Sequence, residues 1–213
     1  MKGGTVFSLS LKRGVFNVLP NKTIPRELAG MHHSIRFIAV PLCYQETEFT
    51  CGAACVQSLL ARYGMYFKQS MLADVLNTRP YTGTEYQRIL SFVKSNGLTV
   101  SFHENLKITD LIRFIDAGIA PLLIIQAWSD DDTDYSHDWK NGHYIIACGY
   151  YEKGIYAMDP YTLGYYTYLS FEDLERRWHS VDQSGNRHFH SALIMYHENC
   201  PVKYDPSQIK YLG

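Results

Sequence analysis

The chain has no apolar run long enough to cross a bilayer: the longest, Ile119 to Trp128, is about half of the roughly 20 residues a spanning helix needs. The stretch MKGGTVFSLSLKRGVF lacks an unbroken apolar core, being interrupted by Ser10, Lys12 and Arg13, and so reads as a poor secretory signal. Neither charge is in excess. With 20 Lys and Arg against 21 Asp and Glu, no overall field attracts nucleic acid or an anionic membrane, and neither partner is expected. The five cysteines, at 43, 51, 55, 148 and 200, are odd in number and irregularly spaced, which argues against a disulfide framework and for a reducing compartment. The expected location is the cytoplasm, or outside the cell by a route without a cleaved signal. A GxxxxGK phosphate loop, an internal repeat and a low-complexity tract are all missing. His32 and His33 are adjacent but have no third spaced partner, so no metal set is read, and no metal or organic cofactor is expected.

What remains is a chain of 213 residues with 46% hydrophobic composition, enough for one packed domain. That domain is placed at 36–200, with 1–35 as an extension containing a hairpin at 5–11 and 15–19, and 201–213 as a tail. Arg36 to Val40 reads as a strand ending at Pro41. Helices are expected from Cys51 to Tyr63, closed by Gly64, and over Gln69 to Leu76. A third is expected after a capping-box pattern at Thr82 to Glu85, closed by Gly97, and a fourth over Thr109 to Ala117 with Thr109 as cap. Strands are expected at Leu98–Phe102, Ile119–Trp128, His143–Tyr150, Ile155–Met158, Tyr165–Leu169 and Phe189–Tyr196, with a short helix capped by Ser170 and Asp173. Helices first and antiparallel strands later make an α+β domain of two facing lobes.

Chemistry concentrates at Gln45 to Tyr63, QETEFTCGAACVQSLLARY, where Cys51 stands at the mouth of a helix. The unpaired amides and positive pole of a first turn favour a thiolate over a thiol, and a thiolate is what nucleophilic catalysis requires. A buried, inert cysteine is the competing reading. A nucleophile also needs a base and a group that orients the base. His143 opens the apolar strand GHYIIACGYY, and the next strand ends in MDP. A tight turn at Glu152-Lys153-Gly154 brings Asp159 back to about the level of His143, where its carboxylate can hold the imidazole. Asp159-Pro160 also reads as a turn initiator.

The order Gln, Cys, His, Asp, carried by QETEFTCGAAC, GHYIIACGY and MDP, resembles the papain-like cysteine peptidases that remove double-glycine leader peptides from bacteriocins, and their stand-alone relatives. The resemblance runs from about residue 38 to 180 and includes SFEDLERRW after the Asp strand. It implies a papain-like two-lobed fold and a peptide or protein substrate. It also implies Cys51 as nucleophile, His143 as general base and acid, Asp159 as the residue orienting His143, and Gln45 as an oxyanion donor. The expected reaction is cleavage of a peptide or isopeptide bond through a thioester. Acyl transfer on the same triad, as in transglutaminases, and a peptide-binding domain without turnover are the alternatives. Thr50 stands where that family usually carries Asp before the nucleophile. The loop SDDDTDYSHDWKNG sets Asp130, Asp131, Asp132, Asp134 and Asp138 before His143. If that loop lines the cleft it favours a basic substrate; otherwise it is a hydrated surface.

Overall fold

The computed structural model describes residues 36–129, 133–209 and 211. The hairpin expected at 5–19 and the pair His32-His33 lie outside them. Five helices and nine strands are described in chain order: β1 (Arg36–Phe37), α1 (Cys51–Arg62), α2 (Gln69–Val75), α3 (Tyr86–Ser95), β2 (Thr99–His103), α4 (Ile108–Asp116), β3 (Leu122–Gln126), β4 (Gly142–Tyr151), β5 (Gly154–Met158), β6 (Tyr166–Ser170), α5 (Phe171–Arg177), β7 (His179–Val181), β8 (Arg187–Phe189) and β9 (Ala192–Tyr196).

The main sheet runs β2-β9-β3-β4-β5-β6, and among the described residues every pairing in it is antiparallel. One edge of β4 is shared between β3, at the Gly142 end, and β1, at the Tyr150 end. Strands from the helical half therefore enter the sheet, β1 against β4 and β2 against β9, so the two halves of the sequence interlock. The structure is α+β with an antiparallel sheet, as the order of elements predicts.

Helix α1 is the buried axis of the domain. Small residues Gly52, Ala53 and Ala54 let its first turn approach closely, while Val56, Leu59 and Leu60 are covered on all sides. Burying each of those large side chains contributes about 1.5–3 kcal/mol. Gly64 ends the helix at φ +79°, a backbone conformation that costs glycine nothing. β3 and most of β4 are buried as well, as continuous apolar runs require.

Four local expectations differ from what is found. The Thr82–Glu85 pattern does not cap α3. Thr84 Oγ1 bonds Thr78 Oγ1 at 2.7 Å, and the Glu85 carboxylate accepts from Gln183 N across the domain. In α4 the cap position is Lys107, whose N–H donates to Asp110 Oδ2, and Thr109 lies inside the helix. The single strand expected at Phe189–Tyr196 is broken at His190, where φ is +48° and the N–H turns aside to Trp178 O. Its first part instead pairs with β7 in a separate two-stranded sheet. Finally, Cys148 is an extra residue between the pairs Ala147↔Ala157 and Gly149↔Tyr156, a bulge that shifts the register of the β4–β5 hairpin.

Candidate active site

Loop 45–50, the first turn of α1, the loop 80–86, the ends of β3 and β4, and the β7–β8 turn enclose a cleft of about 840 Å³. Gln45, Cys51 and His143 all line it. Asp159 stands behind His143. None of these four residues is more than 6% exposed.

Cys51 is the first residue of α1, and the helix opens with the bond from Ala54 N to Thr50 O. Thr50, in the place discussed above, ties a turn together: its hydroxyl accepts from Thr47 N at 3.0 Å and donates to Thr47 O at 3.1 Å. Gly52 has no room for a side chain, because a Cβ there would lie 2.8 Å from Thr84 Cβ and 3.2 Å from the Tyr144 ring.

His143 reaches its position on a paired strand, level with Ile125 of β3. Continued from Tyr151↔Gly154 without a bulge, the ladder would set Asp159 opposite Ile146; the Cys148 bulge moves it one residue closer to His143, opposite Ile145, so Asp159 meets His143 diagonally and not as a direct partner. The contact is made all the same, with His143 Nε2 2.7 Å from Asp159 Oδ1. Cys51 lies close enough to the imidazole for the ring to act on its thiol. Asp159 Oδ1 also accepts from Tyr161 N at 2.9 Å, so one oxygen serves the turn and the histidine together.

Burial acts most strongly on Cys51 and opposes its charge. The hydrogen bond and charge of His143, with the backbone amides of Tyr144 and Gly52, outweigh it and hold the thiol below its ordinary value. His143 shows the mirror image. Burial favours the neutral ring, yet the bonds to Asp159 and Cys51 raise it to about 9. The two shifts together favour a thiolate–imidazolium pair. Cys55, one turn along, is pushed the other way by burial and by the charge of Cys51, and its thiol donates to Tyr144 O.

Gln45 sits at the cleft wall with its backbone N–H on Pro160 O at 2.9 Å and its side-chain Nε2 donating to Thr47 O at 2.9 Å. An amide nitrogen carries two hydrogens, so one N–H is left over after that bond.

The Peptidase_C39 like family model matches residues 37–186. The chain belongs to this family. It is a cysteine peptidase of the papain-like kind. Three solved structures share the fold of this C39-like peptidase. The peptidase domain of Streptococcus ComA, a bifunctional ABC transporter involved in quorum sensing, is 18% identical with a TM-score of 0.56, over 74% of this chain and 98% of that one. A double-glycine motif protease from an AMS/PCAT transporter, solved with a leader peptide, is 17% identical with a TM-score of 0.53, over 75% and 92%. A C39-like peptidase from Bacillus anthracis is 16% identical with a TM-score of 0.53, over 76% and 96%. Among curated protein sequences none matches the chain.

Two residues of this C39-like peptidase were not legible as part of the site. Trp128, at φ +59°, directs its indole N–H to Asp159 Oδ2 at 3.0 Å and stacks on Tyr161 with ring centroids 4.5 Å apart. Gln69, at the start of α2, bonds the backbone on both sides of Gln45. The run Ile119 to Trp128 ends in a tryptophan, and that aromatic just past a buried strand was the one available signal.

Trp139, Lys140, Asn141 and Gly142 at the end of the acidic loop line the cleft, but its described acidic residues do not. Asp134 is exposed and bonded to Ser136 and His137, and Asp138 is turned inward onto Lys140 N and Asn141 Nδ2. Among the described residues no cluster of three or more His, Cys, Asp or Glu is arranged to hold a metal, and no helix is long and apolar enough to cross a membrane.

Proposed function

We propose that this peptidase cleaves a peptide or isopeptide bond with Cys51 as nucleophile, His143 as general base and acid, Asp159 as the residue that orients His143, and Gln45 as an oxyanion donor. The observation that carries the reading is the buried His143–Asp159 hydrogen bond in the same cleft wall as Cys51, at the first turn of α1.

In this reading the Cys51 thiolate attacks the carbonyl carbon, and the C=O electron pair moves to oxygen. The second hydrogen of Gln45 Nε2 and the backbone N–H of Cys51 receive that oxyanion. A donor of this kind is worth roughly 3 kcal/mol of transition-state stabilisation. The imidazolium of His143 gives its proton to the leaving amine as the C–N bond breaks, leaving a thioester on Cys51. Water, deprotonated by the now neutral His143, attacks the thioester carbon, the C–S bond breaks to release the acid, and the thiolate–imidazolium pair is restored. Asp159, bonded to Nε2, fixes the ring so that the opposite nitrogen faces Cys51. The leader peptide held by the AMS/PCAT protease supports a peptide as the ligand class for the present cleft.

The test is alkylation with iodoacetamide across pH, with the modified residue located by mass spectrometry. Cys51 should react at a pH well below the free-thiol value of about 8.5, and His143→Ala should move that reactivity back up. A Cys51 that titrates as a free thiol, or that does not label, would rule the assignment out.

A further inference from the structure

Gln69 is separated from Gln45 by the whole of α1, yet it is 3% exposed and faces the loop that carries Gln45. Its Oε1 accepts from Glu46 N at 2.7 Å, and its Nε2 donates to Tyr44 O at 2.8 Å. The remaining Nε2 hydrogen meets Gln57 Oε1 of α1 at 3.3 Å, and Gln57 is itself held by a bond from its Nε2 to Phe67 O at 2.9 Å.

A carboxamide has the same donor and acceptor as a peptide group. Placed beside residues 44 and 46, it bonds the C=O of one and the N–H of the other, as a neighbouring strand would. Gln45 lies between these two bonds, and its own N–H is taken by Pro160 O. The segment is therefore gripped from two sides, by α2 and by the residue that follows Asp159. No regular strand pairing supports it, since its backbone forms no part of any sheet. An extended loop without such bonds has many conformations of similar energy, and fixing any one of them costs conformational entropy.

We propose that Gln69 is a positioning residue of the oxyanion hole: its carboxamide clamps the backbone at Tyr44 and Glu46 and so fixes where the Gln45 amide stands relative to Cys51. It touches no reacting atom. The inference rests on the reading of Gln45 as an oxyanion donor. A displacement of about 1 Å in a catalytic group can cost on the order of 100-fold in rate, so the clamp matters although it is remote from the chemistry.

The experiment compares two reactions of the same thiolate. Acylation by p-nitrophenyl acetate, a small acyl donor, develops an oxyanion, whereas alkylation by iodoacetamide develops none. Gln69→Met keeps the length of the side chain and removes its hydrogen bonds to Glu46 N, Tyr44 O and Gln57 Oε1. Gln69→Glu keeps the acceptor and removes the donor, and serves should the first variant fail to fold. In either variant acylation of Cys51 should slow by about 10-fold or more, short of the ~100-fold expected for removing the donor itself in Gln45→Ala. The rate and pH profile of Cys51 alkylation should not change. The double variant with Gln45→Ala should be no slower than Gln45→Ala alone.

Acylation at the wild-type rate in the Gln69 variants, a parallel fall in alkylation, or a further full loss on top of Gln45→Ala would overturn the proposal. If instead Gln45→Ala alone acylates at the wild-type rate, the oxyanion reading fails first. The two failures are thus told apart by one variant.

Discussion

The two sides of the cleft are built by different means. On one side His143 belongs to β4, paired on both edges, and Asp159 follows directly from β5 in the same hairpin. On the other, Gln45 sits in a loop with no strand partner, held by two side chains and a few single bonds. Ladder bonds are cooperative and mostly backbone, so no single side chain on the hairpin side carries the geometry. The loop side depends on particular side chains, and one substitution there can move a donor.

The sharpest way to probe this contrast is to remove the chemistry from each side while leaving the frame. Cys51→Ala and His143→Ala should each reduce p-nitrophenyl acetate turnover to the uncatalysed background, with thermal unfolding little changed, because neither side chain supports a strand or a helix turn. Turnover surviving in either would end the assignment of that residue.

Asp159→Asn should lower turnover by roughly 10- to 100-fold, less than the ~10⁴-fold known for a buried serine-protease aspartate, because the Asn oxygen still accepts from Nε2. The pH profile is the finer readout. Turnover needs the Cys51 thiolate and the His143 imidazolium, so it rises as the lowered thiol ionises and falls as His143 loses its proton at about 9. The Asp159 bond and charge are among the causes raising His143, so the alkaline limb should move to lower pH in Asp159→Asn. A limb that stays at about 9 would mean that Asp159 is only a turn residue.

Trp128→Phe removes the indole N–H from Asp159 Oδ2 and keeps a ring to stack on Tyr161. Hydrogen bonds to charged groups contribute about 1.5–3 kcal/mol when buried; with Trp128 at 46% exposure the expected cost is the smallest of the set, a fall of about 3- to 10-fold. An unchanged rate would show that the hairpin holds Asp159 without help, which would strengthen the contrast with the loop side.

How far these features were legible follows from their physics. Helix α1, its glycine stop, the β4–β5 hairpin and the Ser170 cap on Asp173 N are local in sequence, and periodicity or turn chemistry announces them. The level of His143 and Asp159 was close but not right: the turn pairs Tyr151 with Gly154, which offsets Asp159 from His143 by three residues in an unbroken ladder, and the Cys148 bulge that cuts the offset to two is marked by nothing in GHYIIACGYY. The break at His190 and the β7–β8 pair were missed for a related reason. RHFHSALIMY reads as continuous β-prone sequence, and the turn is imposed by the bond to Trp178 O. The Gln69 clamp joins residues 23 and 25 apart through side-chain geometry, which no sequence period records.

Gly52 carries no chemistry, yet Thr84 and Tyr144 leave no space for a single added carbon beside the nucleophile. In a saturation-mutagenesis map scored on activity, column 52 would be nearly as blank as column 51. The two blanks have opposite origins, a missing reagent and a displaced wall, and only an assay of abundance or folding run in parallel would separate the residue that reacts from the one that makes room for it.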